Sequence, residues 1–76
     1  MKIDDITKKV NLTLVGINGN AFSLMGAFSY QAKRDGWTKE EIDTVIKEAT
    51  SDDYNHLLVT LDRFCELEED KNYEDI

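Results

Sequence analysis

The chain has 76 residues, 41% of them apolar and 33% charged, a formal net charge of −7, no proline, one cysteine and one histidine. That length bounds it to one domain with a small core, which usually needs a disulfide, a metal or a second subunit as support. Cys65 alone excludes an internal disulfide, His56 alone supplies a metal poorly, and no apolar run approaches the ~20 residues that span a bilayer, so oligomerisation is the support left.

Met1 to Lys8 is mixed in character and reads as irregular chain or a short turn. In Lys9–Ile17, Val10, Leu12 and Leu14 alternate with Asn11 and Thr13. This period of two predicts a strand. Gly16-Ile17-Asn18-Gly19 ends it, with Asn-Gly marking a turn at positive φ.

Asn20 is a good N-cap for a first helix, Ala21 to Asp35, whose apolar face is Ala21, Leu24, Met25, Phe28 and Ala32. Gly36 suits the C′ position that stops it. Thr38-Lys39-Glu40-Glu41 is a capping box for the second helix, flanked by Trp37 and Ile42 as a hydrophobic staple. Its buried stripe is Ile42, Val45, Ile46 and Ala49, and Asp43 is placed to pair with Lys47. Thr50 to Asp53 breaks that pattern and caps a third helix from about Asp53. Its apolar side is Tyr54, Leu57, Leu58, Leu61, Phe64 and Cys65, with Leu67 as a further member. The expected fold class is mainly α with a single N-terminal β-strand, β-α-α-α. One domain would cover 1–69, with a disordered acidic tail over 70–76.

A lone strand leaves unpaired amides and carbonyls on both edges. Either Met1 to Ile6 folds back onto it, or a second copy pairs with it across a two-fold axis. The second solution predicts a homodimer through Val10, Leu12, Thr13 and Leu14.

The chemistry in the chain is sparse. His56 and Cys65, nine residues apart on one helix, fall on opposite faces, so a nucleophile pair fails and Cys65 reads as a buried thiol. Asp52 and His56 share a face, but two ligands make no metal site. The carboxylates sit on outer helix faces or in the tail. Gly16, Gly19 and Asn20 lie before a helix N-terminus, where free amides can take an anion, although the spacing matches no phosphate-binding motif. A nucleotide-binding reading would add Lys33, Arg34 or a dimer mate's Lys8 and Lys9 as cations and Trp37 or Tyr30 as a stacking surface. Gly26, inside a helix and beside Ser23, Ala27 and Tyr30, marks a small-residue patch, read first as core packing. Neither a cofactor nor catalysis is expected.

The charge is unevenly placed. Residues 1–39 hold six basic and three acidic side chains, a balance of +3, whereas 40–76 hold three basic and thirteen acidic, a balance of −10. Such a balance disfavours nucleic acid and anionic membrane and favours a protein with a basic surface. Thr60, Asp62, Arg63, Glu66 and Glu69 are the outward-facing candidates for that contact on the third helix. A single thiol and no leader sequence suit a reducing cytoplasm.

The stretch Gly19-Asn20-Ala21-Phe22-Ser23-Leu24-Met25-Gly26-Ala27-Phe28 is followed by Gly36-Trp37, by Glu40-Glu41-Ile42, and by Glu48-Ala49 with Ser51, Asp53-Tyr54, His56-Leu57-Leu58 and Thr60. Over roughly Val15 to Glu66 this pattern resembles a widespread group of small proteins of bacteriophages, plasmids and bacteria. The resemblance implies a mobile-element setting and carries no catalytic residue. By analogy with small acidic phage proteins, it implies an inhibitor that binds a host protein, with BREX, restriction or CRISPR components as the target class. The competing expectation is a small-ligand binder, a nucleotide sponge built on the Gly16–Asn20 loop.

Overall fold

The structure, a computed structural model, describes residues 1–14 and 16–65. Those residues are mainly helical. A 3₁₀ turn, Ile3–Asp5, precedes α1 (Ala21–Arg34), α2 (Lys39–Ala49) and α3 (Tyr54–Arg63). Leu67 and the expected disordered tail, 70–76, lie outside the described residues.

Each helix begins where a side chain can take its first free amides. Asn20 Oδ1 accepts from the amides of Phe22 and Ser23. Thr38 and Glu41 form the full capping box, and Asp53 accepts from the amide of His56. The end of α1 is equally defined. Gly36 adopts φ 95°, Trp37 N–H donates to the Ala32 carbonyl at 2.9 Å, and Gly36 N–H donates to that of Lys33 at 3.2 Å. This Schellman geometry turns the chain sharply into α2.

The stripes predicted from helical spacing meet in one core. Leu24, Phe28 and Ala32 of α1, Ile42, Val45 and Ala49 of α2, and Leu57 and Leu61 of α3 are all buried. Trp37 stands between the helices. Its ring meets Phe28 edge-on at 5.5 Å and Phe64 at 5.9 Å, the arrangement favoured by the aromatic quadrupole. Tyr54, assigned to the apolar side of α3, is exposed instead. Thr60 takes a place in the inner stripe, one turn after Leu57.

The expected strand is not formed among the described residues. Val10 makes an isolated parallel bridge with Cys65, donating its amide to the Phe64 carbonyl at 2.7 Å. The physical reason is local. Leu12 N–H turns back onto the Val10 carbonyl, and Ile17 N–H onto that of Leu14, so the segment curls before a ladder can extend. Its apolar residues instead cover the open side of the helical layer: Val10 is fully buried and Leu12 and Leu14 are half-buried against the core. Among the described residues the fold-back with Met1 to Ile6 is absent too. That stretch lies on α2, with Ile6 in the core. Positive φ falls on Gly16, not on Gly19. Asp43 pairs with Lys39 at 3.2 Å and not with Lys47.

Candidate functional site

The glycine loop is built as a helix cap. Asn18 Oδ1 accepts from Asn20 N–H at 2.9 Å, Asn20 Oδ1 accepts from the first-turn amides of α1, and the Tyr54 hydroxyl donates to the Gly19 carbonyl. The amides that would hold an anion at Asn20, Phe22 and Ser23 therefore already have partners. The rings of the nucleotide reading, and the cations Lys33 and Arg34 of the same chain, lie elsewhere. Lys33 is thirteen residues beyond Asn20 along α1, roughly 20 Å at 1.5 Å per residue. The loop and the Tyr30–Lys33–Trp37 group thus sit at opposite ends of one helix.

The α3 candidates separate. Thr60, expected to face outward, is buried, because it follows Leu57 by three residues and shares its side of the helix. Asp62 and Arg63 are exposed. Arg63 donates to Asp4 at 3.1 Å and its guanidinium lies 5.1 Å from the Phe64 ring centre, so it ties α3 to the N-terminal turn. Glu66 and Glu69 lie outside the described residues. In the proposed dimer segment, Val10 is buried within its own chain, while Leu12, Thr13 and Leu14 are half-buried.

Cys65 is buried, and burial pushes its thiol up to about 11, with Asp62 adding to the shift. It is therefore almost entirely the unreactive thiol at neutral pH. The His56 ring does not meet Asp52. Its Nε2 contacts Glu48 Oε2 at 2.9 Å and the Glu48 carbonyl at 3.1 Å, clipping the start of α3 to the end of α2. Ser51 Oγ is 3.5 Å from the same nitrogen. Serine and carboxylate thus share one ring atom, whereas a relay would need both ring nitrogens. Among the described residues, no group of three or more His, Cys, Asp or Glu side chains is placed to hold a metal.

What the structure does assemble lies on α1. Phe22, Gly26 and Tyr30 recur every four residues along its outer side, with Phe22 81% and Tyr30 63% exposed. A Cβ added at Gly26 would meet none of the described residues within 4 Å, so their packing does not call for glycine there. The small-residue patch read first as core packing faces away from the core. Arg34 folds back over Tyr30, its guanidinium 5.8 Å from the ring centre and its Nη1 donating to the hydroxyl at 3.3 Å.

At the C-terminal end of this face a groove of about 350 Å³ opens between α1 and the start of α2. Ser29, Tyr30, Lys33, Trp37, Lys39, Ile42 and Asp43 line it. Trp37 is buried, and its Nε1–H has no hydrogen-bond partner. It is the one buried side-chain polar atom so placed among the described residues. The Thr38–Glu41 box braces the α2 wall. Glu41 accepts from Thr38 N–H at 2.8 Å and from Lys8 Nζ at 2.9 Å, and these bonds, Thr38's first, hold its carboxyl below the usual range. Helical spacing already placed Phe22 and Tyr30 off the buried stripe. The groove needed the reversal at Gly36 to bring Lys33 and Lys39 together.

No helix of the described residues is long and apolar enough to cross a membrane. Comparison with protein-family models, with curated proteins and with solved structures found no match.

Proposed function

We propose that the protein is a binding protein, not an enzyme, and that it acts by stoichiometric attachment to another protein through the outer face of α1. The observation that carries this reading is Gly26. Glycine in a helix interior costs about 1 kcal/mol relative to alanine, and here none of the described residues occupies the space that a Cβ would fill. Between Phe22 and Tyr30 it leaves a flat opening on which a partner can approach the helix backbone, with aromatic anchors on either side.

The charge on this face defines the partner. The α1 sequence, AFSLMGAFSYQAKR, contains no acid and ends in Lys33 and Arg34, in a protein of net charge −7. It suits an apolar surface with an acidic rim. This differs from the basic partner expected from the acidic residues after position 40, of which the described α3 offers Asp62 alone from the proposed set. In the mobile-element setting implied by the resemblance, the partner is a host protein, a defence component of the BREX, restriction or CRISPR kind, and attachment inhibits it in the cytoplasm.

A homodimer is a separate part of the reading. With Val10 in its own core and the Leu12 amide donated to the Val10 carbonyl, a two-fold contact through this segment is left to the half-buried side chains of Leu12 and Leu14. Light scattering at tens of micromolar decides it, and a monomer removes it.

The test of the main reading is capture from bacterial lysate by the wild type and by Phe22→Asp, Gly26→Leu and Asp62→Lys side by side, each checked for folding by thermal melting. A one-to-one partner lost with the two α1 variants and kept with Asp62→Lys supports it. Loss only with Asp62→Lys moves the contact to α3. Identical capture by all four overturns it.

A further inference from the structure

We infer that the groove between α1 and α2 is the anchor site of that interface, and that it takes an acidic peptide segment of the partner carrying one apolar side chain. The inference rests on the protein-binding reading and names the chemistry of what is bound.

Three observations converge. First, the walls are Tyr30, Trp37 and Ile42, apolar and aromatic, and the volume of about 350 Å³ lies at the small end of ligand pockets. It accommodates a side chain or two and little more. Second, Lys33 and Lys39 flank the opening, with Arg34 held over Tyr30 beside it, against the single carboxylate Asp43, which Lys39 already pairs. An anionic segment gains from that rim, and a basic one is repelled. Third, the Trp37 Nε1–H is buried without an acceptor. An orphan donor of this kind is costly to the free protein. Trp37 lines the groove, but its Nε1 has no exposed surface there, so a peptide carbonyl or carboxylate reaches it only when the bound segment displaces the lining.

The groove also continues the exposed face, since Tyr30 belongs to both. A partner lying across Phe22 and Gly26 would therefore reach it with an adjoining stretch of chain. That continuity favours a peptide over a free small anion.

Trp37 is the only tryptophan in the sequence, so its indole N–H gives one cross-peak in a ¹H–¹⁵N spectrum and its emission has one source. The full chain is titrated with an acidic heptapeptide of Asp and Glu around a central Leu, with the same peptide built on Lys, and with acetate. The expected result is a saturable shift of the Trp37 indole resonance with the acidic peptide alone. Lys33→Glu with Lys39→Glu, both outside the core, is expected to weaken that binding about tenfold or more while melting is kept. Raising salt from about 0.05 to 0.5 M weakens it as well. Trp37→Phe, which keeps a ring but no donor, is followed by peptide fluorescence anisotropy and is expected to bind less tightly.

An indole resonance that no peptide moves overturns the inference, as does an equal response to the Lys peptide or to acetate. A resonance that moves with protein concentration alone makes the occupant a second copy. If neutralising Glu68, Glu69 and Asp70 moves it without added peptide, the occupant is the chain's own acidic segment. Either result also overturns the inference. Failure here is separable from failure of the protein-binding reading. A silent groove with partner capture still lost in Phe22→Asp and Gly26→Leu removes the anchor and keeps the interface. A responsive groove with unchanged capture does the reverse.

Discussion

On its inner side α1 carries Leu24, Phe28 and Ala32 at four-residue spacing, all buried; on its outer side Phe22, Gly26 and Tyr30 keep the same spacing in water. The inner set follows from folding alone. It fills the space against α2 and α3 and gives Trp37 an edge-on ring. The outer set gains little from folding, with Phe22 exposed, Tyr30 covered only in part by Arg34, and a glycine where alanine would be better. A residue pattern that folding does not reward is where a second demand on the sequence becomes visible.

The sharpest way to break that comparison is to truncate the same residue type on each side. Phe28→Ala is expected to cost about 3–5 kcal/mol, the range for a buried ring. A chain of this length has roughly 4–11 kcal/mol in all, so most of its stability would go. Phe22→Ala is expected to change stability by no more than about 0.5 kcal/mol. Urea unfolding measures both. A Phe22→Ala loss near that of Phe28→Ala would mean that the outer face is covered in the free protein.

The two glycines of this helix region give a smaller contrast of opposite sign. Gly36 sits at φ 95°, where a Cβ is strained, so Gly36→Ala is expected to cost about 1–2 kcal/mol. Gly26 has helical backbone and open space around it, so Gly26→Ala is expected to gain up to about 1 kcal/mol. In a domain of this size each kcal/mol moves Tm by about 4–8 °C. Gly26→Ala should then melt higher and bind its partner less well. A variant that is both more stable and fully active would leave Gly26 without a functional reason.

The helices were legible because their signals are local. Asn20, Thr38 and Asp53 cap within three residues, and the apolar stripes depend only on helical period. The Lys9–Ile17 segment was misread because alternation reports burial on one side, not the presence of a neighbour to pair with. α3 ends at Arg63, and among the described residues Cys65 alone forms a bridge with Val10. Thr60 was misread because a polar residue was assigned to the wet side, although its spacing from Leu57 and Leu61 places it inside. Of the candidate site, the exposed rings could be read from the helical wheel. The groove could not, because Lys33, Trp37 and Lys39 are brought to one opening by the tertiary turn at Gly36. The paired state of the loop amides was likewise invisible, since it depends on Asn18 as well as Asn20.

The smallest effect expected lies in the capping box that braces the groove, and it distinguishes this end of the molecule from the outer face of α1. The Glu41 carboxylate accepts from Thr38 N–H and from Lys8, and both bonds favour its charged form, so its folded pKa lies below the ordinary 4.5. A carboxyl depressed on folding contributes stability above its unfolded pKa and loses it as pH falls through the folded value. Glu41→Gln keeps an oxygen for Thr38 but never carries the charge. At neutral pH the wild type should therefore melt above Glu41→Gln, by a modest margin because the group is near solvent. That margin should shrink as pH drops below about 4.5, where the wild-type carboxyl takes up its proton. Gly26→Ala involves no titrating contact, so its gain over the wild type should hold across the same range. Melting curves of the three proteins from neutral pH to about pH 3 measure both differences. A Glu41 margin that stays constant into acid would show that Glu41 acts through packing and not charge. A Gly26→Ala gain that collapsed in parallel would mean that the outer face of α1 and the α2 cap are not independent.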